Sequence, residues 1–153
     1  GARGGWSPRQ VPKLIRVESQ GFFTFCGSRL GAALVAYSPL GRGLLTGAYR
    51  TAGDFAAGDY RLAVNPRFAD GALEKNLKLV DQIAAIAETK GATAGQVALA
   101  WVMSKGEDII PIPGTKKIAR LDENIGALML ELSKDDIAAI ERAAATAGRR
   151  TTV

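Results

Sequence analysis

The chain has 153 residues, 47% hydrophobic and 23% charged, enough to bury a real core. No apolar run approaches the ~20 residues of a membrane helix, and the opening residues lack the charged-then-apolar order of a secretory signal. Histidine is absent, which excludes every histidine-based triad and removes the commonest metal ligand. The single cysteine, Cys26, excludes an internal disulfide and leads us to expect a reducing, cytoplasmic setting.

The net charge of +5 is uneven along the chain. Arg3, Arg9, Lys13, Arg16 and Arg29 face Glu18 alone in the first thirty residues, and Arg149 and Arg150 close the chain. The stretch between is nearly neutral. Basic termini can bind nucleic acid, but the body has no basic face with interleaved aromatics, so that reading is disfavoured.

Residues 1–28 mix Gly, Arg, Ser, Gln and Pro without sustained periodicity, apart from the apolar patch Gly21–Phe25. They read as a poorly ordered or foreign segment, of the kind an out-of-frame stretch of a GC-rich gene would encode. The signals sharpen afterwards. Ala33–Tyr37 is a short apolar run, which predicts a parallel strand buried on both faces. It passes through Ser38-Pro39 into the glycine-punctuated loop Leu40-Gly41-Arg42-Gly43. Residues 50–68, polar and broken by Gly53, Gly58 and Pro66, read as a surface loop.

A helix is expected over about 69–90, with one apolar stripe of Leu73, Leu77, Val80, Ala84 and Ala87. Lys90-Gly91 supplies its C-terminal charge and left-handed cap. Thr93 and Gln96 form a capping box that starts a helix of about 94–105. That helix is apolar nearly all round and should be deeply buried. Asp108–Ile112 is a second short strand. After Gly114-Thr115 a helix of about 118–128 is expected. Ser133 with Asp135 and Asp136 then starts a last helix, whose apolar face carries Ile137 and Ile140. Strands alternating with longer helices imply an α/β fold with a parallel sheet.

Ligands of such folds bind beyond the carboxyl ends of the strands, and two loops stand there. In Ser38-Pro39-Leu40-Gly41-Arg42-Gly43, small residues can bring backbone amides to an anion beside the Arg42 charge. Pro113-Gly114-Thr115-Lys116-Lys117 opens a helix, and its amides, hydroxyl, lysines and dipole suit a phosphate. Arg120, Glu123 and Asn124 share one face of that helix. Each loop also admits a plainer reading. The glycines Gly41, Gly43 and Gly47 are spaced one residue too widely for the dinucleotide fingerprint. Lys116 and Lys117 can be a solvated helix start, and Arg120 with Glu123 an exposed ion pair.

Three segments then carry a family resemblance. Val35-Ala-Tyr-Ser-Pro-Leu-Gly-Arg-Gly-Leu-Leu-Thr-Gly47 resembles the seventh-strand segment of aldo-keto reductases. Pro66-Arg67-Phe68, Asn76 and Thr93-Ala-Gly-Gln-Val-Ala-Leu-Ala-Trp101 resemble the intervening helices. Ile112-Pro-Gly-Thr-Lys-Lys-Ile-Ala-Arg-Leu-Asp-Glu-Asn124 is similar to the eighth strand and the helix after it. The likeness runs from about Arg29 to Ala144. It implies a partial TIM (β/α)8 barrel: the last two strand–helix units plus C-terminal helices, in a domain of about 29–146 followed by a basic tail, 147–153.

The resemblance also implies a nicotinamide cofactor, usually NADP(H). Residues matching Ser38, Leu40, Gly41 and Arg42 line its pyrophosphate. Those matching Gly114, Thr115, Lys116 and Arg120 hold the 2′-phosphate region, and those matching Glu123 and Asn124 bind adenine. The family reduces carbonyls with a Tyr, a Lys, a His and an Asp from the first four strand ends. Here the Asp-Thr-Ala-x-x-Tyr-Gly stretch is missing, and Tyr37 reads as strand packing. The expectation is a fragment that keeps the cofactor loops and lacks the catalytic tetrad, with a small carbonyl substrate only if an N-terminal half completes it. A non-enzymatic nucleotide-binding or regulatory module is the alternative. Two strands of eight leave unpaired edges, so a weakly stable, aggregation-prone chain is also expected unless another half-barrel or a second copy covers them.

Overall fold

The computed structural model describes residues 33–68 and 71–147. The element order is β1 (Leu34–Tyr37), α1 (Tyr60–Val64), α2 (Ala72–Thr89), α3 (Ala94–Met103), β2 (Ile109–Ile112), α4 (Ile118–Gly126) and α5 (Lys134–Thr146), with short 3-10 turns between. The atypical first segment, Cys26 and the basic tail lie outside the described residues, apart from Ala147.

β1 and β2 pair in parallel, with Leu34 opposite Ile109 and Tyr37 opposite Ile112. Both strands therefore end at the same level. The sheet is buried on one face only, which corrects the expected two-sided burial. Ala36 and Ile109 face the core, whereas Val35, Tyr37, Ile110 and Ile112 are each 46–60% exposed on the other face. Period-two alternation put the same residues into two environments. A continuous apolar run cannot reveal which face will be covered.

The core forms between the sheet, the 3-10 turn at Gly41–Thr46 and the helices. Leu44, Leu45, Leu79, Val80, Ile83, Val97, Trp101 and Ile140 are all essentially fully buried there. α3 is as deeply buried as its composition predicts, since every residue from Val97 to Val102 is inside. α2 is rotated from the expected stripe. It buries Leu73, Asn76, Leu79, Val80, Ile83, Ile86 and Ala87, while Leu77 is half-buried and Ala84 exposed. Alanine is a weak guide to facing because its small side chain gains little from burial. Asn76 tolerates the core because its amide donates to the Arg67 carbonyl at 3.0 Å.

Both capping boxes form. Thr93 Oγ1 accepts from the Gln96 amide at 3.2 Å while Gln96 Oε1 accepts from the Thr93 amide at 2.9 Å. Ser133 and Asp136 repeat the exchange at the start of α5. Lys90, at the C-terminus of α2, reaches Asp136 at 3.0 Å and ties the two helices end to end. Asp136 is held below the ordinary carboxylate range, first by the Ser133 hydroxyl and then, against its desolvation, by the Ser133 amide and Lys90.

Residues 50–68 are not the plain surface loop expected. They contain α1 and two 3-10 turns, and they bury Phe55 and Phe68. Tyr49 stacks on Phe55 with centroids 4.6 Å apart, and Phe55 meets Phe68 edge-on at 5.1 Å. Aromatic contact supplies the order that periodicity does not signal.

Candidate functional site

The level ends of β1 and β2 set the two loops side by side. Between them lies a cleft of ≈ 1010 Å³. Of the ten residues singled out from sequence, Ser38, Leu40, Arg42, Gly114, Thr115, Arg120, Glu123 and Asn124 line it. Gly41, which is buried, and Lys116, which is exposed, are not among its lining residues. Tyr37, read as strand packing, is 60% exposed and lines the cleft. Its ring is available to a ligand.

The first loop is built from left-handed backbone. Ser38, Gly41, Arg42 and Gly43 have φ of 55°, 59°, 59° and 92°. For the two non-glycine residues this conformation costs about 1–2 kcal/mol each. The turn is closed by the Gly41 amide donating to the Ser38 carbonyl at 2.9 Å and the Gly43 amide to the Leu40 carbonyl at 3.0 Å. Those two amides are therefore spent inside the loop, which corrects the expectation that they face an anion. The loop instead carries positive charge. Arg42 lines the cleft, and behind the loop Arg67 places Nη1 3.4 Å from where a Cβ on Gly41 would lie. Burial and then the Arg42 charge lower the pKa of Arg67. Arg67, from the neighbouring turn Pro66–Phe68, thus stands close enough to Arg42 for their charges to oppose one another.

The same side of the cleft carries residues that the sequence did not single out. Asp59, Tyr60 and Arg61 come from the segment taken as a surface loop, and Tyr49 stands just before it. Arg42 Nη1 donates to the Tyr60 hydroxyl at 2.8 Å. Arg61 lies against Tyr49, its guanidinium carbon 4.1 Å from the ring centroid, and donates to the Arg42 carbonyl at 3.1 Å. Asp59 pairs with Arg61, which holds its carboxyl down at about 2 through side-chain and then backbone hydrogen bonds. A charged residue every few positions in a polar stretch gives no hint of this convergence. Only the burial of Phe55 and Phe68 brings the segment back over the loop.

The second loop is built by side chains. Thr115 Oγ1 accepts from the Lys117 amide at 3.1 Å, so one of the helix-start amides expected to be free is already satisfied. α4 has no side-chain cap at Lys117. Gly114 stands open, with nothing within 4 Å of a Cβ position. Arg120 Nη1 donates to Glu123 Oε2 at 2.6 Å, and Thr93 Oγ1 donates to Glu123 Oε1 at 2.8 Å. Desolvation raises the Glu123 pKa, but the bonds from Thr93 and Arg120 outweigh it and leave the carboxyl below its ordinary range. Gln96 Nε2 donates to the Glu123 carbonyl at 3.0 Å, so the α3 capping box also fixes α4.

Among the described residues no group of three or more His, Cys, Asp or Glu could hold a metal ion, and no helix is long and apolar enough to cross a membrane. The cleft offers guanidinium charge at both ends, an aromatic face and a carboxylate, which suits an elongated anionic ligand with planar rings.

The chain is 47% identical over 133 residues to aldo-keto reductase str7 of Strobilurus tenacellus, covering 87% of this chain and 37% of that protein. It is 47% identical over 110 residues to aldo-keto reductase yakc [NADP(+)] of Schizosaccharomyces pombe, covering 72% and 32%. The solved glycerol dehydrogenase AKR11B4 of Gluconobacter oxydans superposes with a TM-score of 0.71 at 25% identity, over 83% of this chain and 39% of that one. The chain thus spans about a third to two fifths of the proteins it resembles. The sequence model described as "Aldo/keto reductase family" matches residues 10–145, beginning inside the segment of atypical composition. The chain belongs to the aldo/keto reductase family.

Proposed function

We propose that the cleft is an NADP(H) site and that this chain corresponds to the last two strand–helix units of a (β/α)8 barrel. The observation that carries the reading is the single cleft shared by the two strand-end loops. In this assignment Arg42 meets the pyrophosphate beside Ser38 and Leu40. Gly114, Thr115 and Arg120 meet the 2′-phosphate, with Lys116 adding charge. Glu123 and Asn124 face adenine. Gly41 serves the turn rather than touching the ligand. Tyr37 offers its exposed ring to the nicotinamide, one residue before Ser38.

The residues present fit such a group. Gly114 leaves room for close approach, and the paired guanidiniums Arg42 and Arg67 supply a field that a phosphate would relieve. The cofactor, when bound, would supply a hydride. The chain's own contribution is binding and orientation.

We further propose that the chain alone does not reduce carbonyls. All three tyrosines are among the described residues: two are held in other contacts, and Tyr37, assigned here to the nicotinamide ring, stands at the end of its strand. Tyr49 is stacked on Phe55, and Tyr60 accepts from Arg42. With no histidine in the chain, no histidine is available to tune a tyrosine as proton donor. Loss of general acid help alone costs on the order of 10²–10⁴-fold in rate. A small carbonyl would be bound only where a further part of the barrel completes the pocket. Two measurements test the reading. Fluorescence titration with NADPH is expected to give saturable, micromolar binding, and a flat titration would remove the cofactor assignment. Carbonyl-dependent NADPH oxidation is expected to be absent, and robust turnover would overthrow the proposal of inactivity.

A further inference from the structure

We propose that Arg61 is a positioning residue for the cleft: it locks the backbone of Arg42 in its left-handed conformation and so aims the Arg42 guanidinium at the ligand. For its ligand this rests on the NADP(H) reading; for the loop it stands alone.

Three successive residues, Gly41, Arg42 and Gly43, have positive φ, and Arg42 is the one whose side chain opposes it. Left alone, such a turn would relax. What faces it is a tightly held guanidinium. Arg61 Nε donates to both Asp59 oxygens, at 2.9 and 3.1 Å, and Nη2 donates to Asp59 Oδ2 at 2.5 Å. The plane of Arg61 is also held against aromatic rings, its carbon 4.1 Å from the Tyr49 centroid and 5.2 Å from that of Phe55. The remaining nitrogen, Nη1, donates to the Arg42 carbonyl at 3.1 Å. The pair is largely withdrawn from solvent, with Arg61 18% and Asp59 11% exposed, where a charge-assisted bond is strong.

Gly43 completes the fit. A Cβ there would stand 2.8 Å from Tyr49 Cε2, so the missing side chain lets the ring that carries Arg61 lie under the turn. The carboxylate, the rings and the carbonyl each take a different part of the guanidinium. Lysine can satisfy one of these contacts but lacks the fork to satisfy all three.

The experiment has two arms on the full chain, with Arg61→Ala, Arg61→Lys and Asp59→Asn. The first needs no ligand. Tryptic cleavage after Arg42 is followed by mass spectrometry against cleavage after Lys116 in the opposite loop. In all three variants the ratio is expected to rise roughly tenfold or more, the loss of a charge-assisted bond. An unchanged ratio overturns the proposal, and so does a uniform rise at every site, since Arg61 would then hold the whole domain rather than the loop.

The second arm compares the dissociation constants of NADPH and adenosine 2′,5′-bisphosphate, which lacks the nicotinamide half. Arg61→Lys is expected to weaken NADPH about tenfold and the bisphosphate little. Equal losses overturn the positioning role. A wild-type chain that binds neither ligand removes the cofactor reading, while the proteolysis arm still decides the role of Arg61 in the loop.

Discussion

The two ends of the cleft are made by different means. At the β1 end the backbone itself is bent into left-handed geometry and held by Arg61 and Tyr49, six to nineteen residues farther along the chain. At the β2 end a regular helix begins, and the functional side chains hold one another: Arg120 and Thr93 on Glu123, Gln96 on the Glu123 carbonyl. One end stores strain and is braced from outside. The other has little strain and is braced locally. Substitutions at the first end should therefore act through conformation, and at the second through single contacts.

Glycine substitution gives the largest expected contrast. Gly43→Ala forces a side chain into φ +92° and against the rigid ring of Tyr49, and is expected to destabilise by about 1–3 kcal/mol. Gly126→Ala meets only the flexible Gln96 amide, 2.5 Å from the Cβ position. Its helix propensity gain of about 1 kcal/mol offsets the loss of one hydrogen bond, leaving a net change near zero. Urea denaturation of both variants checks this, and equal costs would erase the distinction between the two ends.

Ligand binding comes next. Arg42→Ala is expected to weaken NADPH and NADH alike by roughly 10–100-fold, the range for a lost charged contact. Arg120→Ala should weaken NADPH by a similar factor and leave NADH nearly unchanged. Titration of both dinucleotides distinguishes them, and a parallel loss in Arg120→Ala would contradict the assignment of that end to the 2′-phosphate.

How much of this was legible in the chain follows the same divide. Thr93 with Gln96, and Ser133 with Asp136, are local signals with a local cause, and both boxes form. The strands fall within a residue of their expected positions. The helix carrying Arg120, Glu123 and Asn124 could be read for the same reason: its periodicity lies within one element. Arg61 and Asp59 could not, because their importance depends on Phe55 and Phe68 being drawn into the core. Widely spaced aromatics in a polar stretch have no period to detect. Asn76 is the converse case, a polar residue in the core. A polar residue is expected outside until the Arg67 carbonyl that receives it is known.

Acid offers a subtler way to sharpen the contrast. Asp59, held down to about 2, contributes stability that is fully present above its ordinary value near 4. That contribution is lost as pH falls through about 2. Protection of the Gly43 amide, corrected for intrinsic exchange, is therefore expected to be flat between pH 7 and 5 and to fail only in strong acid, as hydrogen exchange can follow. A failure near pH 6 would point away from Asp59. The smallest effect expected is on stability in Arg120→Ala. Its pair with Glu123 is more than half exposed on the arginine side, so unfolding should shift by no more than about 0.5 kcal/mol.

The parallel register has a consequence for how such a site can change over time. Because Tyr37 sits opposite Ile112, the two loops leave the sheet abreast, at the ~4.8 Å spacing of neighbouring strands. The span that the cleft presents to a ligand is thus a property of main-chain pairing. Side-chain replacements can retune grip at either loop, yet they cannot move one loop along the other. Sliding the strands by one residue would do so, but it would also turn Ala36 or Ile109 outward and a larger side chain in. The reach of the site is therefore inherited with the core, while its selectivity is left free to drift.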